Sequence, residues 1–140
     1  MRWHESRAAV RFDEIDSFGV LWHGHYAKYF EIGRLDLSKQ FNLSIEELGQ
    51  LGYYAPVVNL GCRFREPARY GDEITVKTTV EPLESASLTF QYQLVRRSDG
   101  TILAEGFTSH VLLTTEGKML YLVPPELEKP LHEMIAYYNG

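Results

Sequence analysis

The stretch His25-Tyr26-Ala27-Lys28-Tyr29-Phe30-Glu31-Ile32-Gly33-Arg34-Leu35-Asp36-Leu37 decides the architecture. Tyr26, Tyr29, Phe30, Gly33, Leu37 and then Phe41 recur at steps of three and four, while Lys28, Glu31, Arg34 and Asp36 fall mostly elsewhere. That spacing predicts an amphipathic helix with a strongly aromatic inner face. Such a face has to be covered, and the remaining sequence supplies the cover as strands. Residues 6–12 read as one strand. After them, residues 13–24 carry acids, Ser17 and two glycines and are apolar only at Val20-Leu21-Trp22, so they read as a loop.

Beyond the helix, Ser44-Ile45-Glu46-Glu47 has capping-box spacing and opens a short second helix that Gly49 or Gly52 ends. From Tyr54 to Leu122 β-branched and aromatic residues dominate and turn chemistry recurs, which predicts four strands. They cover residues 57–64, 73–80 (Ile74, Val76, Thr78 and Val80 on one face), 87–96 (Leu88, Phe90, Tyr92 and Leu94 on one face) and 101–114. Asp99-Gly100 reads as a tight two-residue hairpin turn, because Gly and Asp tolerate the positive φ that such a turn needs. Pro124-Pro125 ends the sheet, and residues 126–138 form a terminal helix. The class is α+β: an antiparallel sheet of about five strands around a long central helix.

Length and composition narrow the function. The 140 residues, 44% hydrophobic and 13% aromatic, suffice for one core, so residues 1–140 read as a single domain. A net charge of -5 with no basic cluster excludes a nucleic-acid partner held by phosphate neutralisation. Apolar runs too short for a membrane span, and the absence of an apolar block after Met1, give a cytoplasmic expectation. The single cysteine, Cys62, excludes an internal disulfide and a cysteine zinc cluster and reads as a buried structural thiol.

The densest run of acids and histidines is Asp13-Glu14-Ile15-Asp16-Ser17-Phe18-Gly19-Val20-Leu21-Trp22-His23-Gly24-His25-Tyr26. A carboxylate in a Gly-containing loop, followed by a histidine at the mouth of a helix, sets a base beside unpaired N–H groups and the positive end of the helix dipole. That arrangement suits acyl chemistry. The plain alternative is that Asp16 and Ser17 hydrogen-bond the turn and His23 is a satisfied histidine. A His23/His25 metal site with Asp13 or Asp16 lacks a rigid further ligand, since His4 sits in a frayed terminus; no metal and no cofactor is expected. His110 and His132 read as structural or solvated.

The same run resembles the D-x-x-G-V-V-Y-H-x-x-Y signature of the 4-hydroxybenzoyl-CoA thioesterase-like hotdog family, which includes the Tol-Pal-associated acyl-CoA thioesterases. Phe30-Glu31-Ile32-Gly33-Arg34 is similar to that family's F-x-E-x-x-R-type helix, and Pro67-Ala68-Arg69-Tyr70-Gly71-Asp72 to its P-A-R-x-x-D turn. The resemblance implies a hotdog fold, a homodimer or homotetramer with acyl-CoA across the subunit boundary, and hydrolysis of a coenzyme A or acyl-carrier-protein thioester. Asp16 then takes the place of the catalytic carboxylate, as general base or nucleophile, and His23 that of the motif histidine. The backbone N–H of His23 or Gly24 would receive the oxyanion, one such donor being worth about 3–4 kcal/mol of barrier.

Phe18, Trp22 and His25 depart from the family pattern beside the carboxylate, so substrate choice does not transfer from any one relative. Tyr26, Asn59 and Ser87 are candidate substrate contacts, and Arg63, Arg65, Arg69, Arg96 and Arg97 candidate partners of the CoA phosphates. The rival readings are a hydratase or dehydratase of the same fold and a non-catalytic acyl-CoA-binding module.

Overall fold

The aromatic stretch forms helix α1 (Tyr26–Lys39) in a computed structural model that describes residues 1–140. Tyr26, Tyr29, Phe30, Gly33, Leu37 and Ser38 are its buried positions. Around it wraps an antiparallel sheet of β1 (His4–Ala9), β3 (Val57–Phe64), β4 (Glu73–Val80), β5 (Leu88–Arg96) and β6 (Ile102–His110), in the spatial order β1-β4-β5-β6-β3. The period-2 reading places the inner faces correctly: Ile74, Val76, Thr78 and Val80 on β4 and Leu88, Phe90, Tyr92 and Leu94 on β5 are all buried.

Two contacts fix how closely helix and sheet approach. Phe30, fully buried, stacks on Tyr92 with ring centroids 4.6 Å apart. Its ring also occupies the space that a Cβ at Gly106 would need. Three residues further along α1, Gly33 lies against Thr78 and Val76, where a Cβ would overlap both side chains. Here glycine serves the packing distance, not the backbone angle.

The first strand begins and ends earlier than residues 6–12. His4 is not frayed: its Nε2 lies 2.7 Å from Asp36 Oδ2, and Ser6 Oγ donates to the same oxygen at 2.7 Å, which ties β1 to α1. Burial raises the Asp36 carboxyl, but the bonds from His4 and Ser6 outweigh it and leave the group below its ordinary value. At the other end a 3-10 turn (Phe12–Glu14) replaces strand, because the Glu14 carboxylate captures the Arg11 N–H at 2.8 Å and curls the chain.

The strand predicted over residues 101–114 is divided. β6 stops at His110, and β7 (Leu112–Thr114) joins a second sheet with β2 (Tyr53–Tyr54) and β8 (Met119–Leu120), in the order β2-β7-β8. The His110 ring sets the break by binding the Ala55 carbonyl through Nδ1 at 2.9 Å, which brings the chain after β6 beside β2. The Asp99-Gly100 turn is longer than two residues. Arg96 N–H closes it on the Thr101 carbonyl at 2.8 Å, and Arg96 pairs with Asp99 at 3.1 Å across it. Cys62 is half-buried, not fully, and burial pushes its thiol up to about 11.

Helix α2 (Ile45–Leu51) has Ser44 as its cap, whose Oγ accepts from Glu47 N–H at 3.1 Å; Gly52, at φ 93, terminates it rather than Gly49. Helix α3 (Pro125–Asn139) starts on Pro125, so the second proline opens a helix at a position that needs no N–H donor. Its buried residues Leu127, Leu131, Met134 and Tyr138 close the far end of the core. No helix is long and apolar enough to cross a membrane.

Gly33→Ala tests the helix-to-sheet distance. Alanine adds about 1 kcal/mol of helix propensity, whereas overpacking a filled site costs about 1–3 kcal/mol. A lower Tm in thermal unfolding is the expected result, and a higher one would show that α1 is not pressed onto β4.

Candidate active site

Between β1 and α1 the chain makes a pinned loop. Asp16 N–H donates to the Val20 carbonyl at 2.9 Å, Leu21 N–H to Ala68 at 2.8 Å and Trp22 N–H to Glu14 at 3.0 Å, and Ile15 bridges Leu21. At the tip, Gly19 (φ 80) donates to the Asp16 carbonyl at 3.0 Å, and Asp16 Oδ1 accepts the Phe18 N–H at 2.8 Å. Asp16 therefore does form the turn, as the plain reading has it. Its Oδ2 makes no hydrogen bond to the protein.

That half-buried carboxylate lines an open crevice of about 290 Å³ together with His23, Tyr26, Phe64, Arg65 and Glu66. Tyr26 is buried, and its ring meets Phe64 edge-on at 4.8 Å. Burial pushes the Tyr26 hydroxyl above its ordinary value, and the nearby Asp16 charge acts in the same direction. His23 lies 6.3 Å from the Phe64 ring and 5.1 Å from Trp22.

His23 and Gly24 open the 3-10 turn (His23–His25) that leads into α1, so their N–H groups have no carbonyl behind them in that turn. The Trp22 indole covers Gly24 in the space a Cβ would fill, and its ring also meets His25 at 5.4 Å. No three His, Cys, Asp or Glu side chains converge as a metal site.

Other candidate residues lie elsewhere within the chain. Asn59 is exposed on β3, at the outer edge of the sheet, where the β3–β6 register is irregular between Val57 and Asn59. Ser87 precedes β5 and donates to the His110 carbonyl at 3.4 Å. Arg96 is held by Asp72 and Asp99, Arg97 by Glu73 and Arg65 by Glu105. Only Arg65 of the five arginines lines the crevice. His110 is buried and His132 exposed. Sequence reasoning missed Phe64 and Glu66, which reach the crevice from the end of β3 and the turn after it and carry no motif of their own.

It also missed Glu14, which positions the loop. Its side chain is 3% exposed and is held by the Lys28 ammonium, by the Tyr29 hydroxyl at 2.6 Å and by the Arg11 N–H at 2.8 Å. Burial raises the Glu14 carboxyl, but these donors outweigh it and hold the group below its ordinary value. A depressed carboxyl stabilises the fold above its unfolded value and loses that contribution as pH falls through the folded one. Hydrogen bonds to a charged group contribute about 1.5–3 kcal/mol, so Glu14→Gln is expected to lower urea stability by about that much at neutral pH. The gap to the parent protein should narrow under acid. An equal gap at both pH values would show that the charge does not hold the loop.

Residues 10–131 match the family model described as the Thioesterase-like superfamily. The chain is 26% identical over 127 residues to the acyl-CoA thioesterase YbgC of Haemophilus influenzae, across 89% of this chain and 91% of that one. Among solved structures it is similar to hypothetical protein TT1821 of Thermus thermophilus, at 35% identity and TM-score 0.84 over 93% of this chain and 98% of that one. It is also similar to the DHNA-CoA thioesterase of Staphylococcus aureus, at 25% identity and TM-score 0.88, covering 99% and 95% of the two chains. With the wrapped helix, the sheet order and the family match in agreement, the chain belongs to the Thioesterase-like superfamily and has its hotdog fold.

Proposed function

We propose that residues 1–140 are one hotdog domain that hydrolyses an acyl thioester of coenzyme A or of an acyl carrier protein to a free acid and a thiol. Family membership supports the reaction class. The observation that carries the site is that Asp16, with Oδ2 free of protein hydrogen bonds, shares one crevice with the turn where His23 and Gly24 start the path into α1.

In this reading the carbonyl carbon sits between the carboxylate and those N–H groups. Water adds to the carbon as its proton passes to Asp16, the oxyanion is held by the N–H of His23 or Gly24, and collapse breaks the C–S bond as the proton moves to the departing thiolate. Asp16 as nucleophile would instead form a mixed anhydride as the C–S bond breaks and the thiolate departs, and water would then cleave the anhydride to the free acid, its released proton going to the thiolate. The His23 side chain orients the water or assists the proton transfer. Tyr26, half of an aromatic pair with Phe64, lines the acyl side.

The outer edge supports a homo-oligomer. On β3, Val57, Val58, Leu60 and Phe64 are 42%, 59%, 45% and 51% exposed. Leu60 and Phe64 pair with Thr108 and Ala104 and so share the inner side of the sheet, yet both remain about half exposed, Phe64 meeting α1 through Tyr26 at its first turn. An apolar edge strand with free backbone groups is a template for a second copy. In a homodimer built there, or a homotetramer of two such pairs, the crevice beside Phe64 meets the partner, and Asn59 is carried to the boundary. The compartment we assign is the cytoplasm, with which the unpaired Cys62 thiol agrees.

A thiol-release assay with saturated acyl-CoAs tests the reaction. Asp16→Asn keeps an oxygen for the Phe18 N–H, so Tm should be retained while hydrolysis falls at least about 100-fold. Near-normal hydrolysis would remove Asp16 from the chemistry. Water addition to crotonyl-CoA without thiol release would favour the hydratase reading, and tight binding without turnover the binding module. A separate check is Leu60→Lys, which should convert an oligomer to a 16.1 kDa monomer in sedimentation, with loss of activity; an unchanged mass would place the interface elsewhere.

A further inference from the structure

A second cavity, of about 100 Å³, lies toward the other end of α1, between that helix, α2, α3, the start of β5 and the end of β6. Leu127, Leu131 and Met134 of α3 form its apolar side, and Arg34 and Ser38 of α1 supply polar groups. Arg34 and Ser38 are four residues apart and so share one helix face. They lie about 12–18 Å along the axis from Tyr26, away from the Asp16 crevice.

Arg34 is the anomaly. Its side chain is only 15% exposed, its nearest carboxylate oxygen, on Glu31, is 3.9 Å away, and the Glu31 side chain is 54% exposed. That distance exceeds a charge-assisted hydrogen bond. The imidazole on the wall, that of His110, supplies no countercharge. His110 binds the Ala55 carbonyl through Nδ1 and Thr108 Oγ1 through Nε2, both at 2.9 Å, and Tyr92 completes the chain at 2.6 Å from the same Thr108 oxygen. With Nδ1 donating, Nε2 accepts from Thr108 and the ring is neutral. Burial first, with the Arg34 charge acting in the same direction, lowers His110 to about 4.

The cavity thus combines a mostly buried cation, met by the Tyr92 hydroxyl but by no carboxylate oxygen nearer than 3.9 Å, with an apolar wall. A bare inorganic anion would satisfy the guanidinium and leave the wall unfilled; a neutral hydrocarbon would do the reverse. We infer that this cavity binds a short-chain monocarboxylate, its carboxylate on Arg34 and Ser38 and its apolar tail against α3. A dry cavity of ~150 Å³ accepts benzene, so ~100 Å³ fits a tail of about four carbons. The inference concerns a site separate from Asp16 and goes beyond the thioesterase reading, although a free acid is the class of product that reaction releases.

Pentanoate titrated against the full chain, followed by the NMR shift of the Met134 methyl group, tests it. A saturable shift is expected, at least 10-fold weaker for pentan-1-ol, which keeps the tail and lacks the charge, and absent with inorganic phosphate. Arg34→Met should weaken pentanoate at least 10-fold, and Asp16→Asn should leave the shift unchanged. No saturable shift, an equal response to the alcohol or to phosphate, or loss of the response in Asp16→Asn would overturn the assignment. The alcohol and phosphate comparisons use the unaltered protein, so they decide the matter even if Arg34→Met does not fold.

Discussion

The close seating of α1 against the sheet is the constraint on which the rest depends. Phe30 lies flat on Tyr92 and fills the space beneath Gly106, while Gly33 lets the helix backbone approach Thr78 and Val76. Protein interiors are packed to crystal-like density, so such contacts fix position as well as stability. Once α1 is seated, its amino end, its polar flank and the sheet edge beyond it all have defined places.

Charge secures what packing leaves open at that amino end. The residues between β1 and α1 are too polar to bury as a regular element, yet they are not loose. Glu14 turns inward to Lys28 and Tyr29 on α1, and backbone bonds from Leu21 and Trp22 close the loop onto Ala68 and onto Glu14 itself. A buried carboxylate is tolerated only with such donors around it. The result is a rigid loop that carries Asp16 to the turn before α1, with one carboxylate oxygen used internally and the other available.

The polar groups inside the fold divide into two ends with different character. Near Tyr26 they face an open crevice beside the β3 edge of the sheet. Near Arg34 they border a more enclosed apolar space, where His110, Thr108 and Tyr92 satisfy one another and the guanidinium is left without a close anion. The same helix connects both, so its sequence serves packing along one face and two polar environments at its ends.

Local pattern by itself determined the helix from Tyr26, the inner faces of β4 and β5, the cap at Ser44 and the Asp16-to-His23 run, because periods of 3.6 and 2 and capping chemistry are written in neighbouring residues. The family and its fold were legible in the same run, and the family match over residues 10–131 agrees. What needed tertiary structure were the features made by residues distant in sequence. Glu14 looks like one more acid of a polar loop until Lys28 and Tyr29 surround it; His4 looks frayed until Asp36 meets it; and the split after His110 follows from a bond to Ala55, 55 residues earlier. Burial and long-range hydrogen bonding decide such groups, and neither leaves a periodic trace in the chain.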